Sequence, residues 1–131
     1  MTALLLDTHV VVWLATEPER VPAGLRARLQ SAEHLAVSAA SAYEIAQKVR
    51  SGRMPGATGI VARWDELVAA MMAEDVALTS ADMAHAAGLA WEHRDPFDRM
   101  LVAQAQRRGF TLATRDAAIR AYRGVECAAW E

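Results

Sequence analysis

The sequence predicts an α/β sandwich with a mostly parallel central sheet of four to five strands. Three observations carry this. Short, continuous apolar runs recur along the chain, each suited to a strand buried on both faces. Between them lie segments whose apolar residues repeat at helical spacing and whose ends carry capping signals. The 131 residues are near the usual size of one compact domain, long enough for a real core without a disulfide or a structural metal. Strands that alternate with helices in this way build parallel sheets.

The elements follow in order. Ala3–Leu6 is an apolar run ending at Asp7 and reads as the first strand. His9–Ala15 is a short helix stopped near Pro18. Pro22 stands where a first helical residue belongs, with Leu25 and Leu29 at i, i+4 spacing behind it. Leu35–Ser38 is the second strand. Ser41–Arg50 is a helix with Ser41 and Glu44 in capping-box spacing, closed by Gly52. Ser51–Gly59 is the most loop-like stretch of the chain. Ile60–Ala73 places Ile60, Trp64, Leu67, Val68 and Met71 on one helical face. Val76–Leu78 reads as a third strand, and Ser80 as the cap of a helix running to about His93. Asp95-Pro96 supplies an N-cap and a first-turn proline for a helix stopped by Gly109. Thr111–Ala113 is a fourth strand, Asp116–Tyr122 a short helix, and Val125–Cys127 a fifth strand at most.

Composition narrows the function classes. The net charge is −2, 53% of residues are hydrophobic and 6% aromatic, which is the profile of a globular domain rather than a disordered one. No apolar run approaches the ~18–20 residues that span a bilayer. The start lacks a basic n-region and an acid interrupts its apolar stretch, so no signal peptide is expected. There is no Asn to glycosylate. The single Cys127 excludes an internal disulfide and a Cys-rich zinc site, and together these features point to a reducing, cytoplasmic setting. The charge balance does not announce a nucleic-acid binder, but a metal-dependent nuclease concentrates acids around its ions. Lys48 is the only lysine among 14 basic residues, a bias best read as one of coding.

In parallel sheets, sites form outside the carboxyl ends of strands. Asp7 follows the first strand directly, Glu44 lies in the helix after the second, and Asp116 lies three residues beyond the fourth. A parallel sheet brings these three to one rim. Asp98 sits in the first turn of a helix that follows another helix, so spacing alone does not bring it there. Each acid has a plainer reading. Asp7, Asp95 and Asp116 suit N-caps, and Glu44 and Asp98 suit capping-box acids near a helix N-terminus. Their joint placement favours chemistry. Ionised and unpaired carboxylates at one rim repel one another, and a divalent cation removes that cost. Mg²⁺ or Mn²⁺ prefers such oxygen ligands, lowers the pKa of a bound water and stabilises charge on a phosphate. The constellation suits phosphodiester hydrolysis.

Four segments occur in order: Leu4-Leu-Leu-Asp7-Thr8, Ser38-Ala-Ala-Ser-Ala-Tyr-Glu44-Ile-Ala-Gln-Lys48, His93-Arg-Asp-Pro-Phe-Asp98-Arg-Met-Leu101 and Leu112-Ala-Thr-Arg-Asp116. With these the chain resembles the PIN-domain ribonucleases, specifically the VapC-type toxins of type II toxin–antitoxin systems, over nearly its whole length. The resemblance implies a PIN-like α/β/α sandwich, with residues 1–131 as a single domain. It implies that Asp7, Glu44, Asp98 and Asp116 surround Mg²⁺ or Mn²⁺. Asp7 and Asp98 would be direct ligands, with Glu44 and Asp116 acting through waters or completing a second ion. Thr8 and Thr114 would orient a carboxylate or a water. It further implies cleavage of single-stranded or looped RNA, a homodimer, and inhibition by a cognate antitoxin protein.

Other residues carry less. His9, His34, His85 and His93 form no zinc-binding spacing and read as surface or packing residues. Ser38, Ser41 and Ser80 stand in no nucleophile-elbow motif, and no Gly-rich phosphate loop occurs. Trp13, Trp64 and Trp91 read as core or dimer contacts on helical faces, and Trp13, Trp64 and Met71 as candidates for an apolar docking surface. Lys48, Arg50, Arg53, Arg94, Arg99 and Arg115 lie near the rim and are candidates for phosphate contacts. Two rival readings stand beside the nuclease. One is a catalytically inactive PIN-like protein-binding module, which retention of all four acids disfavours. The other is an α/β phosphohydrolase or phosphoacceptor domain. Its first strand should be followed by D-x-D or an acidic pair, where this chain has Asp7-Thr8-His9.

Overall fold

A computed structural model describes residues 2–131. Four strands, β1 (Ala3–Leu6), β2 (His34–Ser38), β3 (Glu74–Val76) and β4 (Thr111–Ala113), form one sheet in the order β3-β2-β1-β4. Every pairing is parallel, with Leu5 opposite Ala36 on one side and Leu112 on the other. Seven α-helices are described: α1 (Thr8–Thr16), α2 (Ala23–Ser31), α3 (Ala39–Arg50), α4 (Trp64–Ala70), α5 (Ser80–Ala87), α6 (Pro96–Arg108) and α7 (Ala117–Ala121).

The sheet is buried on both faces because its strands alternate sides. Leu4, Leu6, Leu35 and Val37 point into one core with Val10, Val11, Leu25, Ile45 and Trp64. Leu5, Ala36, Val76 and Leu112 point into the other with Leu101, Val102, Phe110 and Ile119. The architecture is therefore the predicted α/β/α sandwich, with four strands. Val125–Cys127 adds no fifth strand. Only Cys127 forms a bridge, beside Leu112.

Several predicted boundaries move, each for a local reason. The helix after β2 starts at Ala39, not Ser41, because Ser38 is the N-cap and its hydroxyl accepts from the Ala40 N–H. Ser41 is buried instead, its hydroxyl bonded to that of Thr8 at 2.9 Å. Pro22 is the residue before the helix rather than its first, which is Ala23. The helix expected over Ile60–Ala73 is a 3-10 turn, Val61–Arg63, leading into α4. It ends after Ala70, where Met72 adopts a left-handed φ of 53°. β3 lies two residues earlier than the apolar run suggested. Val76 pairs with Ser38, β2 stops there, and residues 77–78 have no strand to pair with.

α5 is capped by Thr79 in a capping box with Asp82 and ends at Ala87, six residues short of His93. Residues 88–95 are irregular. Their carbonyls are gathered by one side chain: the Arg99 guanidinium donates to Leu89, Trp91 and His93, and also to Ala86 and Ala87 at the end of α5. Trp91 is thus not on a helical face; it stacks on Tyr122 at 4.7 Å. Asp95, Pro96 and Gly109 act as the sequence proposes. Asp95 accepts from the Phe97 and Asp98 N–H groups, Pro96 opens α6, and Gly109 closes it at φ 72°. Under the second core, fully buried Asp82 and Gln104 join α5 to α6. Asp82 accepts from Gln104, Arg107 and Arg108, while Gln104 accepts from Ser38.

Candidate active site

From β1 the chain steps outward to β2 and β3, then returns across the sheet to β4 on the other side of β1. The connections therefore diverge at the carboxyl ends of β1 and β4, and a crevice opens where they part. A cleft of about 120 Å³ lies there, lined by Asp7, Thr8, His9, Glu44, Lys48, Met54, Asp95, Asp98 and Asp116. All four sequence-predicted acids line it. Asp98 reaches it because α6 packs against α3 and presents its first turn to the rim.

Asp7 is buried between β1 and β4. Its own N–H donates to Ala113 across the sheet. One carboxylate oxygen caps α1 through the Thr8 N–H at 2.6 Å, and the other accepts from the Thr114 hydroxyl, also at 2.6 Å. Thr114 in turn accepts from the Asp116 N–H at 2.9 Å. A single buried hydroxyl thereby ties the acid after β1 to the acid after β4. Asp116 caps α7 by accepting from Ile119. The plain capping readings of Asp7, Asp95 and Asp116 thus hold together with their place in the cleft. Those of Glu44 and Asp98 do not: Glu44 lies well inside α3, and the Asp98 carboxylate bonds His93 Nε2 at 2.6 Å.

The electrostatics are strained. Burial pushes the Asp7 carboxyl above its ordinary range, and the Glu44 charge adds to this; His9, Thr114 and Thr8 oppose it. Burial, with the charges of Asp7, Asp95 and Asp116, raises Asp98 to about 7 against the hydrogen bond from His93. Glu44 is 5% exposed. Its Oε2 meets Lys48 Nζ at 2.5 Å, while its Oε1 is buried without a hydrogen-bond partner. As placed, each carboxylate is turned to a protein donor, and among the described residues no three His, Cys, Asp or Glu side chains are arranged to hold one ion.

The model of the PIN domain matches residues 4–125, a span that includes all four acids. The chain belongs to the PIN-domain family. It is 32% identical over 124 residues to Ribonuclease VapC22 of Mycobacterium tuberculosis, covering 94% of each chain. Its fold matches a chain of the crystal structure of VapBC2 from Rickettsia felis bound to a DNA fragment from their promoter. That match has a TM-score of 0.69 at 14% identity, over 99% of this chain and 100% of that one. The chain is accordingly a PIN domain of the VapC type.

Two residues of the PIN cleft escaped sequence reasoning. His93 and His9 read as packing or surface residues, yet His93 bonds Asp98, and His9 Nδ1 stands 3.4 Å from Asp7 Oδ2. The Arg115 N–H donates to His9 Nε2, so in a neutral ring the proton sits on Nδ1 and faces Asp7. No i, i+4 spacing marks these contacts; only the nearness of each histidine to a strand-end or helix-start acid did. His34 and His85 are surface residues, paired with Glu74 and Gln106. Trp64 is buried in the core and offers no docking surface. No helix among the described residues is long and apolar enough to cross a membrane.

Proposed function

We propose that this chain is a cytoplasmic endoribonuclease, the toxin of a toxin–antitoxin pair. It hydrolyses RNA phosphodiester bonds with Mg²⁺ or Mn²⁺ held by Asp7, Glu44, Asp98 and Asp116. One observation carries the reading. Carboxylates from four separate stretches of the chain line one cleft, and a buried Glu44 oxygen there has no partner. Protein cores rarely leave such an atom unsatisfied. A hard, oxygen-seeking cation fits this carboxylate donor set. VapC22, the relative at 32% identity, bears the name ribonuclease, and the matched Rickettsia structure is of a VapBC pair.

Bound there, a divalent cation supplies positive charge for the phosphate and acidifies a water for attack. The protein's own contribution is to fix the acids. Thr8 and Thr114 hold both Asp7 oxygens, and Thr114 sets the backbone that carries Asp116. Asp95 caps α6 and so orients the turn that presents Asp98. Residues 1–131 act as one unit, as a homodimer, and a small antitoxin protein silences the cleft.

Asp7→Asn keeps the side chain's size and removes its charge. With Mn²⁺ present we expect RNA cleavage to fall by about 10²–10⁴-fold, with an unchanged circular dichroism spectrum. Equal cleavage by the variant and the parent, both free of contaminating nuclease, would refute the assignment. Co-expression with a candidate antitoxin, followed by light scattering and a cleavage assay, tests the toxin reading. A monomer that neither binds nor is inhibited removes it and leaves the nuclease standing.

A further inference from the structure

Lys48 is the one Lys or Arg among the residues lining the cleft, and it follows Glu44 by one helical turn. Glu–Lys pairs at this spacing usually lie on a solvated face, where water satisfies whatever the lysine does not. Here the glutamate is buried. Its Oε2 holds the ammonium at 2.5 Å and its Oε1 has nothing. The lysine side chain is 28% exposed and opens onto the cleft. The ammonium therefore balances one acid of a crowded acidic site without completing its hydrogen bonding.

A divalent cation bound by Glu44 repels an ammonium held on the same carboxylate. Lysine carries a compact charge with three donors on a flexible four-carbon stem, so it leaves without disturbing α3. Freed from Glu44 but still on the cleft wall, the ammonium is placed to pair with an anion that enters the cleft, as a phosphate would.

Resting on the nuclease reading above, we propose that Lys48 serves the reaction in two exclusive positions. Without metal it is the counter-ion of Glu44. With metal bound it is released to hold the scissile phosphate of the RNA. Lys48 thus opposes metal binding and assists cleavage, so removing it moves the two in opposite directions. A merely structural lysine would do neither.

The test titrates Mn²⁺, by calorimetry and by the loss of its free electron-spin-resonance signal, into the parent, Lys48→Met, Lys48→Arg and Asp7→Asn. We expect Lys48→Met to bind Mn²⁺ about 3- to 10-fold more tightly than the parent, the effect of deleting one nearby ammonium. At saturating Mn²⁺ the same variant should cleave RNA about tenfold more slowly or worse in single turnover, with Lys48→Arg restoring part of the rate and the weaker parental Mn²⁺ affinity. Should the unpaired Glu44 keep Lys48→Met from folding, Lys48→Gln takes its place, since its amide still donates to Glu44 without the charge. Unchanged or weaker Mn²⁺ binding on loss of the lysine overturns the proposal, and so does tighter binding with undiminished cleavage. Mn²⁺ binding that is indifferent to Asp7→Asn overturns the metal reading itself, and this proposal falls with it.

Discussion

Replacing Asp98 by Asn should make the metal-free protein more stable, although the residue is central to the proposed chemistry. Burial and the neighbouring charges of Asp7, Asp95 and Asp116 raise its carboxyl from an ordinary 3.8 to about 7. Between those values the folded chain holds a proton that the unfolded chain has released. Folding stability therefore falls as pH rises through this window: the contribution is fully present below about pH 4 and gone above the folded value. The window spans about three pH units, and at ~1.36 kcal/mol per unit the loss amounts to about 4 kcal/mol. For a chain of this size that is a drop in Tm of about 10 °C or more. Asn has the same shape, and its amide oxygen still accepts from His93, but it carries no charge at any pH. In EDTA the parent and Asp98→Asn should melt together below about pH 4 and diverge progressively up to pH 8, with the variant higher. Saturating Mn²⁺ should reverse the order at pH 8, since the parent has one more carboxylate to hold it and binds it more tightly. Scanning calorimetry across this range is the assay. Parallel Tm profiles for the two proteins in EDTA would refute the reasoning.

Three further outcomes are expected. Burial opposes the charge of Asp82, but the Thr79 N–H, Arg108, Gln104 and Arg107 outweigh it and hold its carboxyl well below the usual range. Its stabilisation is complete above about pH 4 and is lost as pH falls toward the folded value. Asp82→Asn should cost about 2–4 kcal/mol at pH 7 in urea unfolding and flatten the acid limb of the stability profile. Arg99→Lys keeps the charge but cannot serve five carbonyls, so residues 88–95 should be cut faster by proteases while the sheet's amide protection is unchanged. Thr114→Val is close in volume but unties Asp7 from Asp116. It should cost about 1–3 kcal/mol by thermal melting and lower RNA cleavage further than that loss of folded protein explains.

What the sequence made legible was whatever depends on near neighbours. The apolar run of β1, the Asp95-Pro96 start of α6 and its Gly109 stop are local signals, and they lie where expected. β3 was misplaced because an edge strand is chosen by its partner. Glu74 and Asp75 are exposed and look nothing like a buried strand, yet the backbone of Ala36–Ser38 stands opposite them. The helix expected to reach His93 fails for a similar reason. Nothing near residues 88–95 shows that an arginine from the next helix will satisfy their carbonyls. At the site, Asp7, Glu44 and Asp116 follow from strand ends in a parallel sheet. The place of Asp98 depends on how α6 packs on α3, and here only family resemblance supplied the expectation. His9 and His93 needed tertiary contact to be seen at all.

The order of the sheet has a consequence for synthesis. β1 precedes the other strands in the chain but sits between β2 and β4, and β4 is translated after all of them. Until it arrives, one edge of β1 is open, Asp7 lacks the Thr114 hydroxyl, and Asp116 is absent from the rim. A chain still being translated therefore carries an unfinished cleft. On the proposed assignment the nuclease stays silent until β4 and the acid that follows it have been made and have paired with β1. The same geometry makes the site depend on one short strand, because loss of the β4 pairing removes Asp116 from the rim and frees one oxygen of Asp7 at once.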